Sequence, residues 1–180
     1  MAWPVTASRT VYENRWIRVD EEDVVQPDGA PGIYGVVTLK NDAVFVVAVD
    51  DEDRVLLVEV DRHTVGPSLE VPAGGSDGEE PLVAAQRELR EETGFAAGAW
   101  TRLGGMTALN GVCRAPEHVF LARDLQPVAS AEAAQREEGI RALVRVPLAE
   151  VPDLVAAGRL TDSETLAALL MALTALRRFA

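Results

Sequence analysis

Residues 73 to 95 read Ala73-Gly-Gly-Ser-Asp-Gly-Glu-Glu-Pro-Leu-Val-Ala-Ala-Gln-Arg-Glu-Leu-Arg-Glu-Glu-Thr-Gly-Phe95. Glutamates at 88, 91 and 92 are three and four positions apart, the spacing that stacks side chains on one face of a helix. Three carboxylates so placed repel one another, and a helix gains nothing from them unless a positive partner arrives. Hard divalent cations prefer oxygen ligands, and Mg²⁺ in particular takes few protein carboxylates and keeps waters or phosphate oxygens. Arg87 lies one turn before Glu91 and is suited to hold that carboxylate. The glycines at 74, 75 and 78 let backbone approach a bound ion where a side chain would obstruct it. An acidic helix face alone is usually just solvated surface. A glycine-rich loop, a further glutamate at 79 and an arginine among the acids set this segment apart.

The elements around it must hold that helix in place. Pro81 suits a first helical turn and Gly94 a left-handed C-cap, which bounds the helix. Leu82, Ala85, Leu89 and Thr93 form an apolar stripe expected to pack on a sheet. Arg90 points to solvent. Strands are expected at Arg9 to Tyr12, Ile17 to Val25, Gly35 to Leu39, Ala43 to Val49 and Val55 to Val60. Gln26-Pro-Asp-Gly29 supplies turn chemistry after the second of these. The charged turn Asp50 to Arg54 makes Ala43 to Val60 read as a hairpin. Further strands are expected near Trp100 to Met106, His118 to Leu125 and Ile140 to Val146. A short helix from Pro147 to Val155 and a longer one from Glu164 to Arg178, with Ser163 as N-cap, close the chain. Strands mixed with helices indicate an α/β fold whose sheet lies between helical layers.

The chain has 180 residues, enough for a sizeable core, and a formal charge of −12. Such acidity argues against a nucleic-acid partner, since phosphate-backbone affinity needs clustered Lys and Arg. A free phosphate-bearing substrate would also be repelled unless divalent cations intervene. No apolar stretch approaches the roughly 18 residues of a membrane span, and no secretory leader is visible. The lone Cys113 forms no internal disulfide, so a cytoplasmic location is the default expectation. His63 and His118 are too few and too far apart for a zinc site. Cys113 has no evident activating partner, and Tyr12, Trp16, Tyr34 and Trp100 read as core aromatics before stacking platforms.

The segment resembles the Nudix box, Gly-x5-Glu-x7-Arg-Glu-U-x-Glu-Glu-x-Gly-U with U a bulky apolar residue. Glu79, Arg87, Glu88, Leu89, Glu91, Glu92, Gly94 and Phe95 match it, while Gly74 precedes Glu79 by four residues where the box has five. The resemblance implies a Nudix-type α/β/α sandwich with a mixed central sheet, preceded by a short N-terminal β region. It places that region at 1–40, as a dimerisation element, and the hydrolase domain at 41–180. It implies that Glu88 and Glu92 ligate Mg²⁺, with Mn²⁺ as substitute, that Glu91 contributes directly or through water, and that the carbonyl of Ala73 completes the site. Arg87 and Glu79 would orient these carboxylates. Implied too is attack of water at phosphorus, with metal polarising the phosphates.

Arg62-His-Thr-Val-Gly, Leu69-Glu-Val-Pro-Ala-Gly74 and Leu160 to Ala168 resemble ADP-ribose pyrophosphatases, which turn ADP-ribose into AMP and ribose 5-phosphate, usually as homodimers. Arg62 would then contact phosphate and Glu70 would line the substrate pocket. For Arg62, an ordinary surface ion pair remains the competing reading. In the stretch after the box Asn110 stands where that subgroup carries proline, and no acid occupies 114 or 115. The general base is therefore sought among Glu117, Glu137 and Glu138, with Glu138 preferred because an acidic loop can close over substrate. Other nucleoside diphosphate sugars and modified nucleoside triphosphates are the competing substrates, and a non-catalytic nucleotide-binding module the competing class.

Overall fold

The computed structural model describes residues 3–128 and 131–178. In chain order it begins with strands β1 (Val5–Glu13), β2 (Ile17–Val25), β3 (Pro31–Leu39), β4 (Ala43–Ala48), β5 (Arg54–Arg62), β6 (Gly66–Glu70) and β7 (Ala73–Gly75), then helix α1 (Pro81–Thr93). There follow β8 (Phe95–Thr107), β9 (Cys113–Arg114), β10 (Pro116–Pro127), α2 (Glu132–Glu138), β11 (Ile140–Pro147), a 3₁₀ turn at Leu148–Glu150, α3 (Val151–Ala156) and α4 (Ser163–Leu176). The chain divides into two units, Met1–Asp42 with Thr107–Pro116, and Ala43–Met106 with Glu117–Ala180.

The first unit holds one sheet in the order β1-β2-β3-β9, antiparallel except for the parallel pair β3–β9. The turn at Gln26–Gly29 closes with Gly29 N donating to Gln26 O at 2.8 Å, and Gly29 takes φ +88°. Alternation along β2 puts Asp20, Glu22 and Val24 on its buried side. Buried carboxylates need donors. Asp20 accepts from Thr10 Oγ1 at 2.7 Å and Arg18 Nε at 2.9 Å, and Glu22 accepts from Arg114 Nη2 at 2.9 Å. All nine residues of β1, at one edge of this sheet, are exposed. Tyr12 and Trp16, expected in the core, are therefore surface residues, Trp16 lying under the Arg15 guanidinium.

The second unit contains two sheets, β7-β4-β10-β8 and β11-β5-β6. β4 runs parallel to β10 and antiparallel to β7, whereas β5 is antiparallel to both β6 and β11. Val44, Val46, Ala48, Leu56, Phe120 and Ala122 pack with Ala84, Ala85 and Leu89 of α1. The intervening residues Val47, Val49, Val55, Leu57, Val119 and Leu121 pack with Ala168, Leu169 and Ala172 of α4. Strands buried on both faces between helical layers make this the expected α/β/α arrangement. Among the described residues no helix is long and apolar enough to cross a membrane.

Four local expectations are corrected. The Asp50 turn exists, its carboxylate accepting from the amides of Glu52 and Arg54 at 3.0 and 2.9 Å. Yet β4 and β5 meet only at a Val49–Val55 bridge and then enter different sheets, so no Ala43–Val60 hairpin forms. Apolar runs buried on both faces carry no polar stripe that specifies a partner. The cap of α4 is Asp162, whose Oδ2 accepts from Thr165 N at 2.7 Å, and Ser163 is its first helical residue. Residues 73–75 pair with β4 as a strand where a loop was expected. On α1, Ala84 takes the buried place assigned to Leu82, which is exposed in the first turn.

Leu57 is fully buried where β5 meets the α4 layer. Leu57→Ala should lower unfolding free energy by about 2–5 kcal/mol, measured by urea denaturation.

Candidate active site

Helix α1 begins with proline in its first turn and ends at Gly94, φ +73°, whose amide donates to Arg90 O at 2.9 Å. Ala84, Ala85 and Leu89 fix its rotation against the sheet, and that rotation carries Glu88 and Glu92 inward. These two are only 4% and 3% exposed, while Glu91 sits half-buried at the rim. β7 passes so close that a Cβ on Gly74 would lie 2.2 Å from Glu88 Oε1. Any side chain there would displace the Glu88 carboxylate from its place, which glycine avoids.

Arg87 ties the group together. Its Nε donates to Glu79 Oε2 at 2.9 Å, Nη1 to Glu88 Oε1 at 2.6 Å and Glu91 Oε2 at 3.2 Å, and Nη2 to Gly75 O at 2.8 Å. Burial works against its charge, but the bonds to Glu79, Glu88 and Glu91 prevail and hold its pKa above the ordinary arginine value. The planar five-donor fork lets one side chain serve a loop, a strand carbonyl and two helix carboxylates.

Even so, negative charge is in excess. Burial raises the pKa of Glu88, Arg87 opposes the rise, and Glu138 and Glu91 add to it. Glu92 is pushed up to about 9, first by burial, against the Ala73 amide that donates to its Oε2 at 2.9 Å, and further by Glu138 and Glu88. Glu138, at the end of α2, lies near enough to the Glu92 carboxyl for its charge to help raise the Glu92 pKa. Carboxylate oxygens of Glu88, Glu91 and Glu138 lie within 4.8 Å of one another. Carboxylates this close, with a glycine-lined approach and one cation among them, fit a hard divalent ion such as Mg²⁺.

A NUDIX domain model matches residues 39–169, and a nucleoside diphosphate sugar hydrolase N-terminal domain model matches residues 3–37. The chain belongs to the Nudix hydrolase family. An ADP-ribose pyrophosphatase of Mycobacterium tuberculosis is 33% identical over 171 residues, covering 91% of this chain and 80% of that protein. One from Bacillus subtilis is 30% identical over 161 residues, covering 88% of this chain and 86% of its own. A crystal structure of an ADP compounds hydrolase superposes with a TM-score of 0.85 at 26% identity, over 98% of this chain and 95% of that one.

In this Nudix hydrolase the expected residues separate into three groups. Glu88, Glu91, Glu92, Arg87 and Glu79 come together, and Glu138 joins them. Ala73 meets the group through its amide to Glu92. Arg62 and Glu70 bind each other, with Arg62 Nη2 2.6 Å from Glu70 Oε2 and Nε 3.2 Å from both oxygens. That bond keeps the Arg62 pKa raised against burial, with smaller support from Glu70, Glu92 and Asp162. Glu117 keeps other company. It is buried at the start of β10, its pKa pushed up to about 7 by burial and by Glu164 and Asp162 at the head of α4. Glu137 is exposed, and both it and Glu138 belong to a helix where an acidic loop was expected. That helix ends at Gly139, φ +76°, a C-cap signal that the seven polar and small residues before it obscure. Gln135, which donates from Nε2 to Glu92 O at 2.7 Å, had no motif to announce it.

A carboxyl whose folded pKa is raised binds more protons folded than unfolded between the two values, so stability falls as pH rises across that interval. With chelator present, the melting temperature should drop between about pH 5 and pH 9. Glu92→Gln should flatten this slope and stabilise the chelated protein at pH 8 by more than about 1 kcal/mol. A pH-independent melting temperature for the chelated wild type would contradict this electrostatic picture.

Proposed function

We propose that this Nudix hydrolase uses Mg²⁺ to hydrolyse the pyrophosphate bond of ADP-ribose, giving AMP and ribose 5-phosphate. The observation that carries the reading is the convergence of Glu88, Glu91 and Glu138, with Glu92 beside them and Arg87 bonded to Glu88 and Glu91, an arrangement whose excess negative charge calls for divalent cation. The names of the related pyrophosphatases support the substrate. The N-terminal match to nucleoside diphosphate sugar hydrolases keeps other nucleotide sugars as the second reading.

Glu88, Glu91 and Glu92, with the backbone at Ala73, would hold Mg²⁺, which supplies charge neutralisation and Lewis acidity at the bridging phosphates. Arg87 keeps Glu88 and Glu91 from swinging away from one another. Glu138, exposed and adjacent to the cluster, accepts a proton on a carboxylate oxygen from the attacking water. Glu117 is ranked below it as base, because its charged neighbours belong to α4. Arg62, held by Glu70 on the side of Glu92, presents a cation for substrate phosphate. We further propose a homodimer through the N-terminal sheet, supported by the exposed edge strand β1 with Val5, Val11 and Tyr12 uncovered. A cytoplasmic setting is the accompanying reading, resting on the single cysteine.

Glu92→Gln and Glu88→Gln should remain folded but lose more than about 100-fold in kcat with Mg²⁺ and ADP-ribose, whereas Glu79→Gln retains more. Glu138→Gln should lower kcat by about 10²–10⁴-fold at saturating Mg²⁺. Near-wild-type turnover by Glu92→Gln would refute the metal site. Light scattering at micromolar concentration should give twice the chain mass, and a monomer mass would remove the dimer.

A further inference from the structure

Helix α2 is a poor helix on its own terms. It has seven residues, no buried side chain and no side-chain cap at its start. Isolated helices shorter than about 12 residues are marginal in water, so contacts from outside must hold this one. Moreover, the residue it delivers, Glu138, arrives beside three other carboxylates that repel it. Something attractive has to oppose that repulsion.

Gln135 supplies it. Glu92 lies in the last turn of α1, where a carbonyl has no intrahelical donor. Gln135 Nε2 fills that acceptor at 2.7 Å. Gln135 and Glu138 are three positions apart and so share one face of α2. The same face therefore meets Glu92 twice, through the backbone at Gln135 and through the carboxyl at Glu138. The contact at Gln135 is between neutral groups, and its strength does not depend on the charge state of the cluster. On the far side, Gly139 O accepts from Asp61 N at 3.1 Å, which fixes the exit of the helix but not its rotation towards α1.

We propose that Gln135 is a positioning residue, a latch that docks α2 on the C-terminal carbonyl of α1 and thereby holds Glu138 in the carboxylate cluster. The proposal rests on the reading of Glu138 as the base, and its test separates the two. Three variants are needed: Gln135→Met, which keeps length but cannot donate; Gln135→Lys, which restores a donor; and Gln135→Met combined with Glu138→Gln. Amide hydrogen exchange across residues 132–138 reads the latch without reference to turnover. Gln135→Met should speed that exchange about tenfold or more, with the melting temperature close to wild type, and Gln135→Lys should slow it again. With ADP-ribose at saturating Mg²⁺, Gln135→Met should lower kcat by about tenfold or more while KM stays put. The double variant should be no slower than Glu138→Gln alone, as expected for residues acting through one group. Unchanged exchange in Gln135→Met would overturn the latch, as would losses that multiply in the double variant. Faster exchange with wild-type kcat would uphold the latch and refute Glu138 as base.

Discussion

The mutual repulsion of glutamates gathered on one face of α1 is the constraint around which the second unit is arranged. A helix left to itself would turn such a face to water. Here Ala84, Ala85 and Leu89 are packed to completion against β4, β5 and β10, and the rotation this imposes leaves Glu88 and Glu92 almost entirely buried. Apolar burial, worth about 25 cal/mol for each Å² removed from water, opposes what the carboxylates lose. Arg87 then limits the damage by bonding to Glu79, Glu88, Glu91 and the Gly75 carbonyl together. The residual strain appears as the raised pKa of Glu92, which the divalent cation proposed for this site would relieve by supplying the missing charge.

Much of this was legible in the sequence because the relevant spacings are local. Glu88, Glu91 and Glu92 share a face through helical geometry alone, and Pro81 and Gly94 mark the ends that set the register. The need for glycine at 74 was legible as a tendency, and the close approach of Glu88 supplies its reason. What depends on distant pairing was not legible. The runs 43–49 and 55–60 announce strands and a turn, but nothing in them tells whether they pair with one another or with β10 and β11. α2 was hidden for a different cause: its residues are small or polar and have no apolar period to reveal a helix, since it has no buried face. Gln135 is the sharpest case, because its partner is a backbone carbonyl and any residue could have provided that.

Glu92 stands at the junction of these elements. Its carboxyl takes the amide of Ala73 from β7 and meets Glu138, while its carbonyl takes Gln135 from α2. A strand, a helix and a short connecting helix thus register on one residue. Substituting its side chain leaves the backbone contact in place, which is why side-chain and latch effects can be separated by experiment.

The alternation along β4, with Val44, Val46 and Ala48 towards α1 and Val47 and Val49 towards α4, bears on how such a protein can diversify. Every position there already has a neighbour on its side of the sheet, so almost any exchange creates a cavity or a clash. Mutational freedom is thereby withdrawn from the scaffold and concentrated where side chains face water: along β1, in the stretch 109–112, and on the outer face of α2. Sequence drift would accumulate in those segments, while the strands behind the carboxylates stay as they are.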